Sequence, residues 1–191
     1  MGKIIGIVVL VLFLLIIVGF VIKTYIALVK LRNSLRDQWS QIDIQLKRRF
    51  DLIPNLVETV KGYAEHEQDT LEKVIKARSS YENASSHEDA LKADSELTKS
   101  ISKLFALAEA YPDLKANENF NSLQSDLKET VDKISFARQF YSDAVLKYNN
   151  AILVFPNNIV ALIFGFREEK YFEANAEERE NVKVDFSKKN N

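Results

Sequence analysis

An uncharged, almost wholly apolar run extends from Ile4 to Ile22, and beyond it apolar residues recur in steps of three and four to about residue 155. The first run is 19 residues long. As a helix rising about 1.5 Å per residue it spans roughly 28 Å, close to the ~30 Å hydrocarbon core of a bilayer. A soluble helix of that length carries a polar face. This run has none, so it predicts a transmembrane anchor over residues 1–24. It exceeds the ~7–15-residue apolar core of a cleaved signal peptide, and no small-x-small cleavage pair follows it. The anchor is therefore expected to stay attached. Position 6 is Gly rather than Ser or Thr, which argues against myristoylation at Gly2.

Four amphipathic stretches follow, over about 25–50, 52–82, 88–111 and 115–155. In the first, Leu28, Leu31, Leu35, Trp39, Ile42, Leu46 and Phe50 form one helical face. The second is expected to bury Leu56, Val60, Tyr63, Leu71, Val74 and the Ala77-Arg78 pair. The third begins after a polar loop at 83–87, where Ser85 and Glu88 have capping-box spacing. It presents Leu91, Leu97, Ile101, Leu104, Ala108 and Tyr111 and stops before Pro112. The fourth carries the longest stripe, from Phe120 through Leu127, Ile134, Tyr141 and Tyr148 to Ile152 and Phe155, and Pro156 ends it. A short helix at 157–164 and a polar tail at 167–191 complete the chain.

Pro54 admits two readings, a kink in one long helix or the first turn of a new one with Asp51 as its N-cap. A single helix from the membrane through residue 82 would outrun the apolar faces left to cover it, which favours a reversal near Arg49–Asp51. The expected architecture is then all-α: a transmembrane helix followed by an antiparallel bundle of four long helices. Alternation of direction brings Phe155–Pro156 back to the membrane-proximal end. There Ile159, Leu162, Ile163, Phe164 and Phe166 form a candidate interaction surface, in competition with a plain role in closing the bundle core.

Five Gly and three Pro in 191 residues are too few for the frequent turns of an all-β fold. Without Cys, the chain has no disulfide, thiolate metal site or cysteine nucleophile. A net charge of −1 disfavours nucleic acid as a partner. The balance is uneven, with eight Lys and Arg against two Asp in residues 1–50. Lys23, Lys30, Arg32 and Arg36 follow the apolar run, whereas only Lys3 and the α-amino group precede it. The positive-inside rule accordingly predicts a single-pass membrane protein, N-terminus outside and residues 23–191 in the cytoplasm.

Candidate chemistry is sparse. The sequence holds no Gly-rich phosphate loop, no G-x-S-x-G and no H-E-x-x-H, so no catalytic, cofactor-binding or metal-ligating residue is assigned. His66 lies near Glu58 and Glu65, but Tyr63 stands where a bundle metal site needs its Glu. Gln38, Gln41, Gln45 and Arg48 form a polar row. Lys47, Arg48, Arg49 and Asp51 make a candidate polar contact, expected to pair with a returning acidic helix or to dock a partner.

Three ordered blocks carry a further signal: Gln41 to Glu67 (QIDIQLKRRFDLIPNLVETVKGYAEHE), Ala108 to Phe120 (AEAYPDLKANENF) and Tyr148 to Asn157 (YNNAILVFPN), with Phe164-Gly165-Phe166 and Tyr171-Phe172-Glu173 behind them. Together they resemble the LemA family of bacterial membrane-anchored proteins, from the anchor to about Phe186. The resemblance implies one N-terminal transmembrane helix and a cytoplasmic bundle of four long helices. It implies no enzymatic activity or cofactor. The expected function is an interaction or scaffold module at the inner membrane face, meeting another membrane or cytoplasmic protein or a second copy of itself. The alternative is a ligand- or metal-binding bundle or enzyme built on Glu58 and His66, or on Gln38 and Arg48.

Overall fold

Helix-forming stripes with few breakers give helices throughout the computed structural model, which describes residues 1–64 and 66–171. In order these are α1 (Gly2–Asp51), α2 (Ile53–Lys61), α3 (Gln68–Glu82), α4 (His87–Ala108), α5 (Pro112–Lys115), α6 (Glu118–Leu153) and α7 (Asn157–Ile163). No strand occurs among the described residues. The chain divides into two units, one of Arg32–Tyr141 and one of Met1–Leu31 with the chain from Ser142 onward.

In the unit of residues 32–141, Leu35, Ile42, Leu46 and Phe50 of α1 are buried, as are Leu71, Val74 and Ala77 of α3, Leu97, Ile101 and Leu104 of α4, and Phe120, Leu127 and Ile134 of α6. Side-chain pairs fix the directions. Phe50 stacks on Tyr81 with ring centroids 4.0 Å apart, and the earlier Trp39 on the later His87 at 3.5 Å, so the chain returns along α1 through the end of α3. Trp39 meets Tyr141 edge-on at 5.8 Å while Arg48 reaches Glu129 at 3.4 Å, so α6 runs opposite to α1.

The reversal expected near Asp51 does not occur there. Asp51 is the last residue of α1 rather than an N-cap, and Leu52 keeps a right-handed helical backbone. The Leu52 N–H donates to the Arg49 carbonyl (3.3 Å) and the Leu56 N–H to the Leu52 carbonyl (3.1 Å). Pro54 sits in the first turn of α2, where its missing N–H interrupts little. The chain turns back between Gly62 and Glu67 instead. The α1–α2 rod can run on past Asp51 because α5 and its flanks cover its far end. Asn117 donates to the Tyr63 hydroxyl (3.0 Å) and the Tyr111 hydroxyl to Glu67 (3.3 Å), so the α4–α6 connection covers the α2–α3 turn. Tyr63, expected in the core, is nevertheless exposed.

The start of α4 is displaced by one residue from the expected capping box. Ser86 is the N-cap and its hydroxyl accepts from the Asp89 N–H at 3.1 Å. In return the Ser86 hydroxyl donates to the Asp89 carboxylate (2.6 Å), and this bond holds that carboxyl below its usual range.

In the other unit, residues 2–31 of α1 pack through Thr24 and Leu28, and α6 through Val145, Tyr148 and Ile152. The apolar stripe of α6 ends at Ile152, and Phe155, expected inside, is 74% exposed. After α7 the chain closes a turn in which the Phe166 N–H donates to the Ala161 carbonyl (2.9 Å) and the Gly165 N–H to the Leu162 carbonyl (3.3 Å). This helix ending needs a left-handed residue, and Gly165 supplies it at φ 71°. The turn buries Phe166 and swings it to Tyr25, 5.9 Å between ring centroids, with Phe164 at 4.8 Å. Asn149 then clamps the following strap: its side chain donates to the Glu169 carbonyl (2.8 Å) and accepts from the Glu169 N–H (3.0 Å).

Candidate functional site

The charged triplet after Leu46 does not form one patch, because consecutive helical residues point about 100° apart. Lys47 pairs with Asp51 at 3.1 Å, one turn on. Arg48 crosses to Glu129 and Asp126 of α6, 3.4 and 4.0 Å away. Lys133 first and Arg48 second hold the Glu129 carboxyl below its ordinary range. Arg49 turns inward. It is 3% exposed and its guanidinium meets the Asp94 carboxylate of α4. Arg138 of α6 binds the other oxygen of the same carboxylate at 2.9 Å.

Two guanidinium groups thus share one buried carboxylate, joining α1, α4 and α6. Charge-assisted contacts of this kind are strong in a low-dielectric interior, and they are costly when one member is removed. The Nε atoms of Arg49 and Arg138 and the amide oxygen of Gln45 are buried without a hydrogen-bond partner. Beside the cluster lies a cavity of about 590 Å³ whose lining includes Arg49, Thr98, Ser102, Phe105, Gln124 and Lys128. Asp94 and Arg138 were absent from every sequence-derived candidate set.

A second cavity, about 320 Å³, is bordered by Trp39, Asp43, Tyr81, Ser86 and His87. His87 stacks on Trp39 at 3.5 Å, nearly parallel. The Tyr81 hydroxyl donates to Asp43 (3.2 Å), and burial together with that carboxylate pushes its pKa up to about 12. Tyr81 is therefore a neutral donor at any physiological pH.

The other candidates do not converge. Glu58 and His66 are exposed, and Glu65 lies outside the described residues. Among the described residues no three His, Cys, Asp or Glu side chains gather in a metal-sized cluster. Of the polar row on α1, Gln38 and Gln45 are half-buried while Gln41 and Arg48 face outward. In the surface proposed around α7, Ile159, Leu162, Ile163 and Phe164 are exposed, whereas Phe166 is buried and belongs to the packing. Leu153, Val154 and Phe155 join the exposed set. Phe136 and Phe140, one turn apart on α6, are also exposed and lie off the stripe that sequence reading followed. The apolar run itself, from Ile4 to Val18, is uncovered along its whole length.

The sequence matches the LemA family over residues 38–186. The chain belongs to the LemA family. Protein LemA of Metamycoplasma hominis is 25% identical over 186 residues, covering 95% of this chain and 84% of that protein. Magnetosome protein MamQ of Magnetospirillum gryphiswaldense is 22% identical over 174 residues, covering 78% of this chain and 64% of the relative. Magnetosome protein MamQ 2 of Paramagnetospirillum magneticum is 31% identical over 83 residues, 44% of this chain. The match spans only 30% of that last relative's length. The LemA match begins at Gln38 and takes in Arg49, Asp94 and Arg138, so the buried cluster lies in the region that defines membership.

Proposed function

We propose that this LemA-family chain is a membrane-anchored interaction module. Its α1 crosses a bacterial cell membrane once, about between Ile4 and Ile22. The body from residue 25 to 166 is a four-helix bundle on the cytoplasmic side, serving as a scaffold for another membrane or cytoplasmic protein or for a second copy. The observation that carries this reading is the uncovered apolar length of α1, since exposing so many large apolar side chains to water is unfavourable and a bilayer removes the cost. The basic residues that follow it favour the inward orientation. The LemA and MamQ relatives point to a membrane-associated helical protein. Polar groups at the centre of the body are spent on one another, Arg49 and Arg138 on Asp94, which fits a structural lock better than a reaction centre. The exposed Phe136–Phe140 pair supplies apolar surface of the kind that partner contacts use. Tethering raises a partner's local concentration, so a modest contact suffices.

Two measurements test the halves of this proposal. With Ser85→Cys as the sole thiol, a membrane-impermeant maleimide should leave intact cells unlabelled and react after permeabilisation. Labelling from outside would reverse the orientation. For the interaction, a photo-crosslinker at Phe140 in native membranes should give an adduct of one defined mass that Phe136→Ser weakens. Failure to form any adduct would remove the scaffold reading at this surface.

A further inference from the structure

The corner between α6 and α7 stays apolar in a way that neither packing nor chain reversal requires. From Tyr148 to Phe166 the sequence carries no charged residue, while Lys147 and Arg167 bound the stretch. Within it Leu153, Val154, Phe155, Leu162 and Ile163 point outward, Leu162 being 83% exposed. Two rings tie this corner to α1: Phe164 and Phe166 both lie against Tyr25. Tyr25 is three residues, about 4.5 Å along the helix, beyond Ile22, where the apolar run ends. Ile22 and Ile26 on that stretch of α1 are exposed as well, so the uncovered surface of the anchor continues onto the corner.

We infer that α7 and the preceding Leu153–Phe155 turn are embedded in the headgroup–acyl boundary of the bilayer that α1 crosses, making a second, monotopic contact with lipid. This rests on the reading of α1 as a membrane span. Seven residues are far too short to cross, but interfacial helices sink only about 5–10 Å, a depth that the Tyr25 contacts match. Tyr25 itself occupies the position of an interfacial aromatic. The Gly165 turn and the Asn149 clamp fix how the apolar side of α7 is presented, and Lys147, Arg167 and Lys23 bracket it with cations suited to anionic headgroups. Lipid is the occupant that continuity with the anchor selects.

The absence of native cysteine makes a clean test possible. The full chain carrying Leu162→Cys, labelled with the environment-sensitive fluorophore NBD, is reconstituted into phosphatidylcholine–phosphatidylglycerol vesicles. Chains labelled at Phe13→Cys and Ser85→Cys serve as deep and aqueous references. At Leu162 the expected result is blue-shifted emission, several-fold less quenching by aqueous iodide than at Ser85, and stronger quenching by a shallow doxyl lipid than by a deep one. A Leu162 probe as accessible to iodide as the Ser85 probe, with Phe13 still shielded, would overturn the inference and leave the anchor standing. A Phe13 probe exposed to iodide would take down both. Shielding at Leu162 that fades as the lipid-to-protein ratio rises would assign the corner to a second copy and likewise overturn the inference.

Discussion

Asp94→Ala is expected to destabilise the helical body by about 3–5 kcal/mol, a large share of the roughly 5–15 kcal/mol available to a domain. The substitution removes the one carboxylate shared by Arg49 and Arg138, and Arg49 is almost wholly enclosed. A guanidinium left in that position keeps its desolvation penalty and loses its compensation. Urea unfolding of the full chain in detergent, followed by far-ultraviolet circular dichroism, reads the effect directly. The double variant Arg49→Met with Asp94→Leu should recover most of the loss. An apolar pair of similar volume suits the same space, and Arg138, about a third exposed, can turn its head toward water. A loss below about 1 kcal/mol for Asp94→Ala, the size of an average substitution, would show that the cluster does not hold these helices together.

Placing arginines at Val11 and Leu15 should detach the chain from alkali-washed membranes. Each cation near the middle of a spanning helix costs about 2.5–3.5 kcal/mol on insertion, so the pair shifts the equilibrium by about four to five powers of ten. Val11 and Leu15 touch no packed core and stand one turn apart on α1, so the helical signal of the body should persist. Interfacial contact through α7 alone is reversible and yields to alkali. A variant that still resists extraction would contradict the span.

The helix stripes were legible from the sequence because burial and periodicity coincide along them: Ile42 and Leu46, Leu97 and Leu104, Leu127 and Ile134 all lie inside. The membrane-length run was equally plain, since nothing polar competes with it. The lock was not, because charged residues in an amphipathic pattern read as solvated surface. Position offered a signal all the same. Arg49 falls three residues after Leu46 and four before Ile53, Asp94 four after Ala90 and three before Leu97, and Arg138 four after Ile134 and three before Tyr141. All three charges sit on the core face of their helices. Reading Lys47, Arg48 and Arg49 as a block concealed this, since a run of like charges draws attention to composition and away from direction. Pro54 misled for another reason. A proline in a helix's first turn is compatible with a sharp reversal and with near-continuation, and only the covering of the next turn decides between them. Here that covering comes from Tyr111 and Asn117, which bond to Glu67 and Tyr63 some fifty residues earlier in the chain.

Asp94 lies 45 residues after Arg49 and 44 before Arg138. As the chain leaves the ribosome, the carboxylate can satisfy the earlier arginine long before the later one has been synthesised. The last member arrives with α6, which also brings Glu129 to Arg48 and Tyr141 to Trp39. Completion of the body is therefore a late event in translation, and a nascent chain halted before residue 138 should remain open to proteolysis although most of its helices already exist.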